Sequence, residues 1–186
     1  MNNKILGTLA LLGAPFLCLN TYLNVSASGG YTTTPLSGFF DLLYVTGWLC
    51  SIIGLKQIGA AGTDRLGRII LPTILVTLVL ANIYNFYEII LPDHGTLLYH
   101  ALDLFWPLSN LVMIGVGIAV IRAKRLQGWK RYVPLACGLW LPFTMLVWSN
   151  VPLGFHLTNV HTALAWTLLA LVVLTSNKSD SILPTP

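Results

Sequence analysis

The chain has 186 residues, of which 55% are hydrophobic and only 9% charged, whereas soluble domains carry about 25% charged residues. Its mean hydropathy is +0.76. These values exclude an ordinary soluble globular enzyme, and six apolar helices of about 20 residues each leave no room for a separate soluble domain. The formal charge of +4 does not mark a nucleic-acid face, because basic residues beside anionic headgroups account for it.

Apolar runs predict crossings at Ile5–Leu23, Ser37–Gln57, Ile69–Leu91, Leu97–Ile121, Tyr132–Trp148 and Phe155–Thr175. The fold class that follows is an all-α integral membrane bundle of six antiparallel transmembrane helices, with residues 1–175 forming a single domain. The polar tail over 176–186, ending in Pro184-Thr185-Pro186, reads as a disordered cytoplasmic segment. Lys4, the run after it and Val25-Ser26-Ala27 have the three regions of a cleavable signal peptide. The run is nevertheless about 19 residues long, enough to span, and an uncleaved first helix is expected. Short connections predict that sequential helices are neighbours. The second loop, Gly59 to Arg68, holds glycines but no Gly-Lys-Ser/Thr, so a tight turn with Thr63 or Asp64 capping the next helix fits better than a phosphate loop. Asp93-His94-Gly95 and Asn150-Val151-Pro152 read as tight turns, with His94 an ordinary loop residue.

The ten Lys and Arg residues all fall on one side of this layout. Lys4 precedes the first span. Lys56, Arg65 and Arg68 lie around the second loop, Arg122, Lys124, Arg125, Lys130 and Arg131 in the fourth, and Lys178 in the tail. Basic residues concentrate in cytoplasmic loops, which predicts a cell-membrane protein with both termini cytoplasmic. The cluster from Arg122 to Arg131 could also hold anionic lipid. Cys18, Cys50 and Cys137 lie in three different spans and read as small apolar residues.

Ionisable residues within spans are costly and usually face a bundle interior. Asp41, Glu88, His100, Asp103 and His161 fall within a few turns of the outer boundary, as does His156, assigned to the turn. Asp41, Tyr44, Trp48 and Ser51 share one helical face, as do His100, Asp103, Pro107 and Asn110, while Asn85 and Glu88 share a third. These stripes predict an outward-facing polar cavity whose candidate ligand-binding residues are Asp41, Tyr44, Asn85, Glu88, His100, Asp103, Asn110 and His161. Three uses are open. The cavity binds a small ligand or moves protons in a coupled transporter. Alternatively, His100, Asp103 and His161 hold a metal, or His100 and His161 a haem, in a membrane enzyme or electron carrier. In the third, the polar groups only fasten helices in a structural or assembly subunit. No loop pairs a nucleophile with a base, which leans away from an enzyme. The sequence names no ligand, cofactor or protein partner. Asp41-Leu42-Leu43-Tyr44 and Asp103-Leu104-Phe105-Trp106 also form a weak internal echo.

Overall fold

The computed structural model describes residues 2–28, 33–91, 93–148 and 150–176. Most of the expected tail, including Lys178, and part of the first outer loop lie outside these residues. All regular structure among the described residues is helical: α1 (Asn3–Gly13), α2 (Phe16–Ser28), α3 (Pro35–Gln57), α4 (Arg65–Ile90), α5 (Leu97–Asp103), α6 (Phe105–Ala123), α7 (Val133–Gly138), α8 (Trp140–Val147) and α9 (Gly154–Thr175), with one 3₁₀ turn at Gly128–Arg131.

The helix starts follow local chemistry. Thr34 and Ser37 form a reciprocal capping box at α3, with Pro35 in its first turn. Asp64, one of the two expected caps, accepts from Gly67 N at 2.8 Å to open α4, and Thr96 accepts from Tyr99 N at 3.2 Å to open α5. Three interruptions accompany prolines. Pro15 separates α1 from α2, Pro107 follows the break at Leu104, and Pro142 follows the break at Leu139. Each proline lacks the N–H that would bond the carbonyl four residues earlier, which for the last two is that of Asp103 and Gly138.

Five helical stretches are long and apolar enough to cross a membrane: Asn3–Asn24, Pro35–Gln57, Arg65–Ile90, Leu97–Ala123 and Gly154–Thr175. The expected fifth crossing, Tyr132–Trp148, is not among them. It consists of α7 and α8, 6 and 8 residues long, which end to end rise only about 20 Å against a hydrocarbon core of about 30 Å. The five long stretches are compatible with a multi-pass membrane protein. So are their outer faces, where Leu12, Val76, Leu111 and Leu164 are each more than half exposed, an arrangement water disfavours and lipid accepts.

Neighbours in sequence pack as neighbours in space. α1 lies on α3, α3 on α4, α4 on α6 and α6 on α7, and α9 closes the ring by packing on α7, α8 and α1. Small residues permit the closest approaches. A Cβ on Gly13 of α1 would stand 2.8 Å from Gly47 Cα on α3, so only paired glycines allow these backbones to touch. The main core, with Tyr44, Trp48, Ile52, Leu78, Met113 and Leu169 at its centre, runs through the middle of this ring.

Candidate ligand cavity

A partly enclosed cavity of about 470 Å³ opens among the helices. Its wall draws on α2 (Leu17, Thr21), Thr33, α3 (Asp41), α4 (Tyr84, Asn85), α5 (Tyr99, Asp103), α6 (Trp106), α8 (Trp140) and Trp148. Of the residues singled out from sequence, Asp41, Asn85 and Asp103 line it, each from a different helix.

Each polar wall residue is positioned by a specific contact. Asp41 is half-buried and accepts from the Asn20 amide at 2.8 Å; Asn20 itself is fully buried on α2, and Asn24 one turn further on donates back to it. Asn85 donates to Asn82 Oδ1 at 3.3 Å, and Asn82 donates to Thr46 Oγ1 on α3 at 3.2 Å. Tyr84 and Tyr99 share a hydroxyl hydrogen bond of 2.8 Å between α4 and α5, and the Asp103 carboxylate interacts with the Tyr84 hydroxyl. Asp103 is the last residue of α5. The Pro107 interruption therefore sets the turn of helix that delivers its side chain to the wall.

Besides Leu17, Thr21 and Thr33, the rest of the wall is aromatic. Trp106 meets Trp140 edge to face with centroids 5.2 Å apart, and Trp140 meets Trp166 in the same way at 6.4 Å. Trp166 then contacts Trp48 at 5.3 Å and Tyr44 at 5.5 Å. This train of rings runs from the wall into the core, in the tilted and edge-on geometries that aromatic quadrupoles favour. The Trp140 indole N–H also donates to Thr162 Oγ1, which fixes the plane of that ring against α9.

The remaining sequence candidates lie elsewhere. Tyr44 is fully buried in the ring train. Asn110 is fully buried and donates to the Trp106 carbonyl within its own helix at 3.1 Å. Glu88 is 1% exposed and its Oε1 lies 3.2 Å from His94 Nε2. His94, expected to be an ordinary loop residue, is thus the partner of a buried carboxylate. It also stacks on Tyr99 with centroids 4.7 Å apart. His100 is exposed with its ring edge-on to Tyr99. His161 packs against Phe143 at 4.9 Å, on the side of α9 that faces α8. His156 accepts or donates at 3.0 Å to the Tyr22 hydroxyl. The proposed metal set of His100, Asp103 and His161 is therefore not assembled. Among the described residues no three His, Cys, Asp or Glu side chains stand close enough to share a metal ion. Helical spacing put His100 and Asp103 on one stripe, but the ring of His100 turns outward and that of His161 is taken by α8.

Sequence reasoning missed Asn20, Tyr84, Tyr99 and three tryptophans of the wall. Asn20 carried a legible signal, since a carboxamide inside an apolar run needs a partner. The aromatics carried none, because ring residues at these positions read equally as core or interface. At the opposite end of the bundle, a second pocket of about 260 Å³ is lined by Thr63, Asp64, Arg122 and Arg125, so the second and fourth loops pack together. Lys130 Nζ donates there to the Thr175 carbonyl at 3.1 Å and caps the end of α9.

No known protein family, curated protein or solved structure matches this chain.

Proposed function

We propose that this chain is a six-span protein of the cell membrane, with both termini cytoplasmic and sequential helices antiparallel, whose outward-facing cavity binds a small ligand. The observation that carries the reading is the convergence of Asp41, Asn85 and Asp103, from three helices, on one aromatic-walled space of about 470 Å³. Ligand sites are typically clefts of about 300–1,000 Å³, mostly apolar with a few convergent polar groups. In this reading α7 and α8 together form the shortened fifth crossing, which the bundle can accommodate because α6 and α9 flank both its halves. The basic loops anchor the cytoplasmic face, with anionic lipid headgroups as the partner of Arg122 and Arg125.

The test is a thermal-shift screen of purified protein in detergent against a library of small organic cations, anions and neutral compounds, repeated on Asp103→Asn. A compound that stabilises the native chain and not the variant supports the cavity. A screen in which no compound stabilises the native chain removes it.

A second reading, helix fastening, is favoured by the interhelical hydrogen bonds Asn20–Asp41, Asn82–Thr46, Ser109–Thr77 and Trp140–Thr162. It accounts for these pairs, and the Asp103–Tyr84 contact joins α5 to α4 as well, but it gives no reason for an exposed carboxylate and a half-buried one to line the same space. Proton-coupled transport through the cavity remains a use of the same site rather than a separate one.

A further inference from the structure

The chemistry of the cavity wall restricts what can occupy it. Two carboxylates, Asp41 and Asp103, line the space, and the other described lining residues include no Lys, Arg or His; His100, which acts electrostatically on the Asp103 carboxyl, is exposed and outside that lining. Of the residues outside the described set, only Lys178 is basic. The same lining carries five aromatic residues, Trp106, Trp140, Trp148, Tyr84 and Tyr99.

We propose, resting on the ligand-binding reading above, that the occupant is a small organic cation, an amine or quaternary ammonium carrying an apolar body. Three properties converge on this class. A negatively charged space walled by low-dielectric groups attracts a positive ligand and repels an anion. Tryptophan and tyrosine rings hold cations over their faces, most strongly when the cation is poorly hydrated, as alkylated ammonium is. A hard inorganic cation, in contrast, asks for about six to eight oxygen ligands in one shell, and among the described residues no three His, Cys, Asp or Glu side chains stand close enough to share an ion. The volume matches a molecule of one ring or a few alkyl groups with a charged head, since sites that bury most of a drug-sized ligand start at about 300 Å³.

The experiment follows tryptophan fluorescence of the full chain in detergent micelles, because Trp106, Trp140 and Trp148 line the cavity. Benzyltrimethylammonium is the probe. Its neutral isostere neopentylbenzene and the anion benzoate are the controls. Saturable change with the cation is expected, at least about tenfold tighter than either control. Asp103→Asn, which keeps size and hydrogen bonding while removing the charge, is expected to weaken the cation about tenfold and to leave the neutral compound unaffected. Trp106→Leu provides a second variant whose binding loss is expected for the cation even where Asp103→Asn folds poorly. If the neutral compound saturates as tightly as the cation, or benzoate binds better, the cation assignment fails and the cavity reading stands. If none of the three gives a saturable signal in the native chain, both fail.

Discussion

The side-chain amide of Asn20, fully buried on α2, donates to the carboxylate of Asp41 on α3 at 2.8 Å. One bond thus ties α2 to α3 and holds a carboxyl group at the cavity wall. Removing the donor takes one hydrogen bond from a half-buried carboxylate, whereas neutralising the carboxylate keeps an acceptor for Asn20. Asn20→Ala is therefore expected to cost about 1–3 kcal/mol of stability, and Asp41→Asn less. Unfolding of both single variants and the double variant in detergent measures this. Equal costs for the two single variants would contradict it.

Glu88, a buried carboxyl, and the half-exposed His94 form a second pair at this end. Glu88 is 1% exposed and its Oε2 has no hydrogen-bond partner among the described residues. His94→Ala is expected to destabilise the fold by an amount unusual for a loop residue, about 1–3 kcal/mol, because it strands the carboxylate. Glu88→Gln in the same chain recovers most of that loss. Recovery is the informative result, since a loop effect unrelated to Glu88 would persist in the double variant.

Gly13 and Gly47 meet at the α1–α3 contact. Gly47→Leu places a bulky side chain where even a Cβ would lie 2.9 Å from Gly13 Cα, so the helices must separate. Loss of monodisperse protein on size-exclusion chromatography is expected. Gly59→Ala, where a Cβ meets nothing within 4 Å but φ is +68°, is expected to cost only about 1 kcal/mol of backbone strain.

Thr162→Val replaces the acceptor of the Trp140 indole with a methyl group of similar shape. The buried N–H loses its partner, and a destabilisation of about 1–3 kcal/mol is expected. The tryptophan emission spectrum should shift with it, because Trp140 stands between Trp106 and Trp166 in the ring train.

Orientation is tested by reporter fusions. Fusions in the Lys56–Arg68 and Arg122–Arg131 segments are expected to report the cytoplasm, and fusions at Asp93 and Pro152 the outside. A cytoplasmic signal at Pro152 would overturn the orientation, because α9 starts beside Pro152 and ends beside Lys130 at the basic end.

Hydropathy by itself determined the helical class and located the five stretches that can cross a membrane, because in lipid a spanning chain must bond its own backbone. Local sequence also offered Thr63 or Asp64 as the cap of the next helix, since capping depends on residues near in the chain, and Asp64 is the one that accepts from Gly67 N. The broken segment at Tyr132–Trp148 was less legible: an apolar average conceals Pro142, whose missing N–H divides it. Helical spacing could say that Asp41, Asn85 and Asp103 lie at similar depth and on polar stripes. It could not say which stripe turns inward. Only the packing of α2 against α3, of α5 against α4 and of α8 against α9 decided that Asp103 faces the cavity while His100 faces out and His161 meets Phe143. The reason is physical: local periodicity fixes a residue's angle relative to its own helix, whereas the rotation of that helix is set by the neighbours whose rings and glycines it must fit.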